Sequence, residues 1–436
     1  MFEKHPEIQF LSREEIAQEQ NKRLQQTIAY VAANSPYYKR IFAENNIDPS
    51  SIKTVADLQR IPVTTKQDLQ LHNKDFFCVP MEQITDIVTT SGTMGDPVII
   101  GLTKNDLDRL AYNEELTFRA AKLTTSDIIQ EMTTIDRRFM AGLAYFLGAV
   151  ELGAGVVRVG NGIPELQWDT INRVKPTVAM VVPSFLMKLI DYAEAHGIDY
   201  HNCSLKKAVC IGESLRNPDF SYTVLSQRIH DRWPELQLFT TYASTEMQTG
   251  FSECECGCGG HHQPELIVVE FLDENNQPVA DDQPGEVTIT SLGIEGVPLV
   301  RFKTGDVCYH HIEPCKCGRN TMRLSSVLGR KGQMIKLKGT TIFPSSISDV
   351  LDGMNGLAGY VIEVSTNDLG TDEVTVRVGT DNATEAFEKA LKDQFRAKMR
   401  VAPKIVFETP EAIRAIQFPQ MSRKPIKFID LRKKTI

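Results

Sequence analysis

Apolar residues follow a helical spacing near the start of the chain. Ser12 and Glu15 have the spacing of a capping box, in which side chains satisfy backbone N–H groups at a helix N-terminus. Apolar residues then recur at helical intervals as far as Val31. This pattern predicts an N-terminal amphipathic helix.

From there to about residue 240, short apolar runs alternate with segments of helical spacing. The runs that indicate buried strands are 155–160, 177–184, 207–214 and 236–244. The segments that indicate helices are 140–154, 183–197 and 217–233. Strands that alternate with helices predict a parallel sheet with helices on its faces, which is an α/β fold.

The pattern changes after Cys254. Residues 265–279 and 284–292 indicate strands joined by a turn that contains Asn, Gln and Pro, which predicts a β-rich subdomain at about 250–320.

A smaller unit follows at the C-terminal end. It combines strand patterns with an amphipathic helix at Asn382–Met399, and its length of about 100 residues suits independent folding. We therefore predict a large domain at 1–329 and a small α+β domain at 330–436.

The composition is that of an ordinary globular protein. Of 436 residues, 42% are hydrophobic and 24% are charged, and the formal net charge is -8. A net negative chain lacks the overall field that attracts proteins to nucleic acid, so we expect no nucleic-acid partner. No apolar run is long enough to span a bilayer, and the first residues lack the apolar core of a secretion signal. We therefore expect no membrane partner and a cytoplasmic location.

Six of the nine cysteines fall between Cys254 and Cys317, and His261 and His262 follow the first three of them. Disulfide scaffolds belong to short secreted chains, so clustering in a large chain favours a metal site. Two thiolates separated by one residue, together with a distant Cys and His, can form the tetrahedron that zinc prefers. Reduced thiols without a metal are the alternative.

The segment TTSGTMGDPV, Thr89–Val98, has the composition of a loop that wraps a phosphate. Its glycines permit close backbone approach, so that successive N–H groups can point at one anion. It lacks the G-x-x-x-x-G-K-[ST] spacing, and Asp96 stands near the place of the expected lysine. Taken alone, the segment favours a turn between two strands over a phosphate site.

Three later segments carry groups that suit a nucleotide. YASTE, which ends at Glu246, follows a predicted strand and offers a carboxylate that a metal can bridge to a phosphate. FKTGDV places Asp306 after a Thr-Gly turn that suits a ribose diol. Lys424 and Lys427 lie near the C-terminus. Each segment alone is equally a capped strand end, a turn or a solvated surface.

The order of these motifs resembles the adenylate-forming acyl-CoA ligase superfamily, and more narrowly the phenylacetate–CoA ligase family. The motifs are TSGTMGDP, IGES, YASTE, KTGD, LGRKGQMIKLKG and a lysine near the C-terminus. The family's loop reads T-S-G-T-T-G-K-P, which this chain matches except at Met94 and Asp96. The negative charge of Asp96 should weaken ATP binding or be offset by Mg²⁺. The likeness runs from about residue 20 to the end of the chain.

The resemblance implies an ATP-dependent ligase that activates an aryl or arylacetic acid as acyl-AMP and transfers the acyl group to coenzyme A. It implies Mg²⁺ as a cofactor and a mobile small domain. Lys424 is expected to bridge the substrate carboxylate and the α-phosphate. Glu246 is expected to hold Mg²⁺, and Thr245 to lie beside the α-phosphate.

The resemblance also assigns the contacts with ATP and coenzyme A. The residues expected to bind the β- and γ-phosphates are Ser91, Gly92, Thr93 and Gly95. The residues expected around the adenine and ribose are Gly212, Glu213, Ser214, Tyr242, Ala243, Ser244, Asp306 and Arg330. The residues expected to face coenzyme A are Lys336, Lys338 and Gly339. In the family the small domain swings about a hinge just after the residue that matches Arg330, and this chain has Gly332 and Gln333 there in place of an Asp.

The segment that matches the family's acid pocket assigns Arg137, Phe139 and Gly142 to the substrate acid. If Arg137 or Arg138 faces the pocket, an acid with a second anionic or strongly polar group is favoured. If both face solvent, an ordinary arylacetate fits. Charged side chains are seldom buried without a partner.

The resemblance also selects a metal-ligand set. Keeping the family's following strand in register favours His261 over His262. The predicted zinc ligands are Cys254, His261, Cys315 and Cys317, with Cys256, Cys258 and His262 as substitutes. Four protein ligands leave no open position, so we expect the zinc to be structural.

Two other functions stay open from the sequence. One is adenylation followed by transfer to a carrier-protein thiol or an amine. The other is a catalytically inactive, zinc-stabilised binding protein, which Asp96 and the altered hinge would reflect. The expected partners are a small carboxylic acid, ATP and coenzyme A. Relatives are often dimers, which makes a homodimer a further expectation.

Overall fold

The computed structural model describes residues 2–90, 98–281, 283–337, 340–367, 371–419 and 425–432. The chain divides into two compact units. The first unit comprises Met1–Tyr222, Ser226–Thr304 and Cys308–Ser326, and the second comprises Thr223–Leu225, Gly305–Val307 and Val327–Ile436.

The helices are numbered in chain order. They are α1 Arg13–Asn34, α2 Pro36–Glu44, α3 Lys66–Leu71, α4 Lys104–Ala120, α5 Met140–Leu152, α6 Pro164–Val174, α7 Pro183–Ala195, α8 Val224–Arg232, α9 Pro344–Asp352, α10 Glu385–Met399 and α11 Pro410–Gln417. Short 3-10 helices lie at Pro6–Phe10, Pro49–Ser51, Val55–Arg60, Asn73–Phe76, Met81–Gln83 and Lys331–Gln333.

The strands are also numbered in chain order. They are β1 Asp86–Thr89, β2 Ile99–Leu102, β3 Ile128–Glu131, β4 Gly155–Arg158, β5 Val178–Val181, β6 Lys207–Cys210, β7 Gln237–Ser244, β8 Thr249–Glu253, β9 Gly260–His261, β10 Ile267–Leu272, β11 Gly285–Ser291, β12 Phe302–Cys308, β13 His310–His311, β14 Arg323–Leu324, β15 Gly329–Arg330, β16 Ile335–Leu337, β17 Thr340–Ile342, β18 Gly359–Thr366, β19 Asp372–Gly379, β20 Lys404–Glu408 and β21 Phe428–Asp430.

The N-terminal helix forms as the sequence predicts. Ser12 and Glu15 make both hydrogen bonds of the capping box at the start of α1. The apolar residues Ile16, Leu24, Ile28 and Val31 are buried. The amphipathic stripe therefore faces the core.

The main sheet of the first unit has the strand order β13-β14-β9-β8-β7-β6-β5-β3-β4. Strands β3 to β7 pair in parallel, while the pairings of β7 with β8, β8 with β9, β9 with β14 and β13 with β14 are antiparallel. An apolar cluster that includes Phe118 of α4 and Tyr145 of α5 packs on β3, β5 and β6. This is the predicted α/β fold with parallel strands, and the prediction is confirmed.

One strand and one helix illustrate where the structure differs from the sequence pattern. The apolar pattern does not predict β3, because Gln130 and Glu131 interrupt its apolar run, yet both side chains are buried. The helix predicted at 217–233 is shorter, since α8 begins only at Val224. The preceding residues form a bridge between Arg216 and Tyr222 instead.

The β-rich part contains β10 and β11, which pair antiparallel, and β12, which is next in the sheet order. The second unit has a separate mixed sheet in the order β20-β19-β18-β21. Its core is apolar and includes Ile347, Val376 and Phe395. Among the described residues, no helix combines the length and the apolarity that crossing a bilayer requires.

Candidate functional site

The ends of β1 and β2 hold the two ends of segment 91–97 together. The Thr90 N–H donates to the Val98 carbonyl at 3.0 Å, and the Val98 N–H donates to the Thr90 Oγ1 at 3.1 Å. Four residues of this segment are predicted to bind phosphate, and all four lie outside the described residues: Ser91, Gly92, Thr93 and Gly95. The described residues therefore place the two ends of the segment and not its contacts.

The turn after β7 carries Thr245 and Glu246 and is held by hydrogen bonds to its backbone. The Gln248 N–H donates to the Ser244 carbonyl at 3.2 Å, and Gln248 has a positive φ of 49°. Arg109 of α4 is buried and donates to the Gln248 carbonyl at 2.7 Å. Its other acceptors belong to Thr249, Leu266 and Leu292. A buried guanidinium with four hydrogen bonds thus anchors the turn to α4.

A lysine that the sequence reasoning missed contacts this turn. Lys66 Nζ donates to Glu246 Oε1 at 2.5 Å and to Thr90 Oγ1 at 3.0 Å. The carboxylate predicted to hold Mg²⁺ therefore lies next to the start of the predicted phosphate loop. Carboxylates are ligands that Mg²⁺ prefers, and the side chain of Glu246 is 15% exposed, so the residue fits that role.

The residues predicted to line the adenine follow β6, which is the neighbour of β7 in the sheet. Cys210 of β6 pairs with Thr240 of β7, so residues 212–214 and 242–246 emerge at the same carboxyl edge of the parallel sheet. Ligands of open α/β sheets bind at this edge. The structure thus brings together the IGES and YASTE motifs.

Several of these residues have structural contacts of their own. Glu213 Oε2 accepts from the Ser184 N–H at 2.8 Å, in the first turn of α7. The Tyr242 ring lies 5.7 Å from the Phe251 ring in a tilted arrangement. The backbone of Gly212 has a positive φ of 77°. Gly212, Ser214 and Ala243 are exposed, and Ser244 and Thr245 are half-buried.

The predicted acid pocket lies between β3 and α5. Glycine is required at position 142, because a Cβ there would lie 2.2 Å from the Thr134 carbonyl oxygen. Phe139 is half-buried at the start of α5. The Thr89 N–H donates to the Arg138 carbonyl at 3.1 Å, which places this segment beside β1.

Arg137 is exposed in the structure. Its side chain is 63% exposed, and Nε lies 3.8 Å from the Asp136 carboxylate. The backbone of Arg137 is left-handed, with φ of 61°. Its assignment to the substrate acid stays a prediction.

The two predicted ribose residues face each other in the second unit. Asp306 and Arg330 are opposite each other across β12 and β15, and Arg330 Nε donates to Asp306 Oδ1 at 3.2 Å. The adjacent Gly305 has a positive φ of 81°. The structure thus brings these two residues together as an ion pair.

The predicted coenzyme A residues begin on β16. The Lys336 N–H donates to the Asp372 carboxylate at 2.8 Å, and the side chain of Lys336 is exposed. The other predicted residues of this group, Lys338 and Gly339, lie outside the described residues, as does Lys424. The neighbouring hinge segment is bound within the second unit, since Arg432 donates to the carbonyl of Gly332 at 3.3 Å.

The predicted metal ligands gather in the first unit. The ligand atoms of Cys254, His261, Cys315 and Cys317 all lie within 4.8 Å of one another. The Sγ atoms of Cys254 and Cys315 are 3.7 Å apart, and Cys317 Sγ is 3.5 Å from His261 Nε2. Tetrahedral zinc with bonds of about 2.3 Å to sulfur and about 2.0 Å to nitrogen would give an S···S separation of roughly 3.8 Å and an S···N separation of roughly 3.5 Å.

The surroundings of these groups also suit a metal. Burial and the charges of Arg319 and Arg323 lower the pKa of His261 to about 3, so the imidazole is neutral. Its Nδ1 lies 2.9 Å from Thr321 Oγ1, which leaves Nε2 for a metal. Burial opposes ionisation of Cys315, but hydrogen bonds from neighbouring groups lower its pKa to about 7. Three thiols and one neutral imidazole therefore fit zinc.

The predicted substitutes differ in position. Cys258 Sγ lies 3.6 Å from Cys315 Sγ. Cys256 is exposed, while His262 is buried, with Nδ1 3.4 Å from the Met322 carbonyl.

Comparison with known proteins identifies the family to which the chain belongs. Residues 10–295 match the family model of AMP-binding enzymes, and residues 339–432 match that of the AMP-binding enzyme C-terminal domain. The chain is 30% identical to the phenylacetate-coenzyme A ligase of Thermus thermophilus over 79% of this chain and 77% of that protein. It is 28% identical to the phenylacetate-coenzyme A ligase of Escherichia coli over 98% of this chain and 97% of that protein.

A solved structure shows the same fold. The crystal structure of 2-hydroxyisobutyryl-CoA ligase in the postadenylation state, in complex with R3-HIB-AMP, superposes with a TM-score of 0.83. It is 24% identical and covers 98% of this chain and 91% of that chain. The chain belongs to the AMP-binding enzyme family, and within it to the AMP-forming acid–coenzyme A ligases.

Proposed function

We propose that the acid is an aryl or arylacetic acid of the phenylacetate type. The observation that carries this proposal is the exposure of Arg137, whose Nε lies 3.8 Å from Asp136. An arginine on the surface supplies no buried charge for a second anionic group on the substrate. Phe139 and the apolar residues of α5 instead suit an apolar ring. The names of the phenylacetate-coenzyme A ligase relatives support the same class.

In the first proposed step, the acid becomes an acyl-AMP. A substrate carboxylate oxygen forms a bond to the α-phosphorus, and the bond between that phosphorus and pyrophosphate breaks. The step needs charge stabilisation around the α-phosphate more than covalent help. Lys424 supplies a positive charge between the carboxylate and the α-phosphate, and Thr245 lies beside it. Glu246 would hold Mg²⁺, which when bound neutralises charge on the phosphates.

The nucleotide is bound along the carboxyl edge of the parallel sheet. Residues 212–214 line the adenine and Tyr242 stacks on it, with Ala243 and Ser244 alongside. Asp306 and Arg330 bind the ribose hydroxyls. The 91–97 segment wraps the terminal phosphates through backbone N–H groups and hydroxyls.

In the second proposed step, the thiolate sulfur of coenzyme A forms a bond to the acyl carbon, and the bond from that carbon to the AMP oxygen breaks. The C-terminal domain at 330–436 turns about Gly332 and Gln333 to present Lys336, Lys338 and Gly339. The rest of the chain, up to and including Arg330 before the hinge, keeps the acyl-AMP. Free coenzyme A is the acceptor in this scheme, not a carrier protein or an amine.

We also propose a structural zinc ion held by Cys254, His261, Cys315 and Cys317. These residues come from the end of β8, from β9 and from the loop between β13 and β14. A metal there would join three separate segments of a subdomain whose thiols are otherwise reduced. The four ligands leave no position for a substrate.

The test is ATP–pyrophosphate exchange with a panel of acids. The panel contains phenylacetate, 4-hydroxyphenylacetate, indoleacetate, benzoates and dicarboxylates. The proposal predicts exchange with one or more aryl acids and none with the dicarboxylates, because the exposed Arg137 offers no buried charge to a second carboxylate. Thioester formation from the same acid with free coenzyme A would identify the acceptor.

Two results would count against the proposal. Exchange that is fastest with a dicarboxylate would place a cation in the acid pocket and contradict the aryl assignment. Exchange with no acid while Lys424 is intact would favour an inactive binding protein.

A further inference from the structure

The backbone that leads into Lys66 is held in place by hydrogen bonds of the buried residue Thr64. Lys66 is the first residue of α3, and Thr65 and Asp68 form a capping box around it. The Thr64 N–H donates to the Arg301 carbonyl at 2.9 Å, and the Lys303 N–H donates to the Thr64 carbonyl at 2.9 Å. The position of the Lys66 backbone is therefore set by the β-rich part of the same unit.

The ammonium of Lys66 lies between two groups of the nucleotide site. It is 2.5 Å from Glu246 Oε1 and 3.0 Å from Thr90 Oγ1. Glu246 is the proposed magnesium ligand, and Thr90 immediately precedes the 91–97 segment. The side chain of Lys66 is 32% exposed, so its four-carbon stem can still move.

The sequence of the 91–97 segment supplies no cation of its own. That segment contains Asp96 and no Lys or Arg. The terminal phosphates of ATP are strongly anionic, and lysine binds phosphate as a mobile point charge. Lys66 is a cation already placed beside the start of the segment.

We propose that Lys66 binds the terminal phosphates of ATP, and that Glu246 holds its ammonium in place until Mg²⁺ takes the carboxylate. This inference rests on the proposed nucleotide site and adds a residue to it. Mg²⁺ at Glu246 would compete with the ammonium for the carboxylate and repel it, so the ammonium would be free to approach the phosphates. The four-carbon stem allows this short movement without a change in the backbone.

A consequence separates this role from a structural one. AMP and acyl-AMP lack the β- and γ-phosphates, so Lys66 contributes to the binding of ATP and not to the binding of AMP. A residue that merely stabilised the turn after β7 would affect both nucleotides alike.

The test is a calorimetric titration of the full chain with ATP and with AMP, in the presence of Mg²⁺ and without any acid. Lys66→Met should weaken ATP binding by about 10- to 100-fold, the loss of a charge-assisted contact. AMP binding should change less than about twofold. Lys66→Arg, which keeps the charge, should bind ATP within about fivefold of the wild type.

Lys104→Met is the matched control. Lys104 is also the first residue of a helix behind a threonine capping box, Thr103 with Asp106, but it pairs with Asp108 on the surface. Its loss should leave the affinities for both nucleotides unchanged. If the loss of ATP affinity came merely from removing a lysine at a helix N-terminus, Lys66→Met and Lys104→Met would both show it.

Three results would overturn the inference. They are equal weakening of ATP and AMP by Lys66→Met, an unchanged affinity for ATP, and wild-type protein that binds ATP no more tightly than AMP. The titration needs no acid, so it is independent of the proposed substrate class. A protein that loses ATP affinity with Lys66→Met but activates no aryl acid would refute the proposed function alone.

Discussion

Replacing Glu114 with Gln should stabilise the protein at neutral and alkaline pH. Glu114 lies on α4, is 4% exposed, and packs closely against Gly148 of α5. Asn113 Nδ2 donates to its Oε1 at 2.9 Å, while Oε2 has no hydrogen-bond partner among the described residues. Burial without a cationic partner raises the pKa of Glu114 to about 7.

The sign and size of the effect follow from this pKa. The folded protein holds the proton more tightly than the unfolded chain, in which the pKa is near 4.5. The stability of the folded state is therefore greatest at low pH and falls as pH rises from about 4.5 through about 7. A difference of roughly 2.5 between the two pKa values corresponds to roughly 3 kcal/mol. Gln keeps an oxygen for Asn113 and carries no charge, so this loss disappears.

The assay is urea unfolding of wild type and Glu114→Gln at pH 5 and pH 8. The free energy of unfolding of the variant relative to wild type should rise by roughly 2 to 3 kcal/mol between the two values. As a control, the free energy of unfolding of Glu82→Gln, a substitution at an exposed residue, should stay within about 0.5 kcal/mol of wild type at both pH values. A difference between Glu114→Gln and wild type that does not change with pH would refute the reasoning. It would mean that Glu114 ionises equally well in the folded and unfolded states.

Three further predictions concern the proposed chemistry. Lys424→Ala should abolish acyl-AMP formation yet spare thioester formation from supplied acyl-AMP, and equal loss of both half-reactions would count against a lysine that acts only in the first. Cys315→Ser should reduce the zinc content of purified protein from about one ion per chain and lower its melting temperature, whereas wild-type protein free of zinc would contradict the metal site. Asp96→Lys should tighten ATP binding several-fold, because it replaces a repulsive charge with an attractive one, and an unchanged Kd would show that position 96 does not face the phosphates.

The alternation of apolar runs and helical segments was enough to predict the parallel sheet. Strands such as β5 and β6 are buried on both faces, so their apolar residues form continuous runs that the pattern displays directly. One strand of the parallel sheet that escaped prediction is β3. Its last two residues, Gln130 and Glu131, are buried through hydrogen bonds to Gln167 and Thr133, which a hydrophobic pattern cannot show.

The composition of the candidate site was partly visible in the sequence. The clustering of cysteine and histidine suggested a metal site, and the family resemblance selected four ligands. The structure brings the same four together, because the turn at β9 and the loop at 315–317 meet beside β8. Which side chains flank the phosphate segment was not visible. Lys66 precedes that segment by more than twenty residues, and the hydrogen bonds of Thr64 with Arg301 and Lys303 help to place it beside Glu246.

The acid pocket shows the same limit. The sequence left open whether Arg137 faces the substrate or the solvent, since its position depends on the backbone between β3 and α5. The left-handed conformation of Arg137 and the absence of room for a Cβ at Gly142 set that backbone. Neither property can be read from hydrophobic periodicity.

The most direct measurement of the central claim is mass spectrometry of the wild-type enzyme after a single turnover with phenylacetate and Mg²⁺·ATP, without coenzyme A. The account predicts phenylacetyl-AMP in an amount comparable to the enzyme, which disappears as the thioester forms when coenzyme A is added. ATP that stays intact, or that is hydrolysed without any acyl-AMP from phenylacetate or another aryl acid, would contradict it.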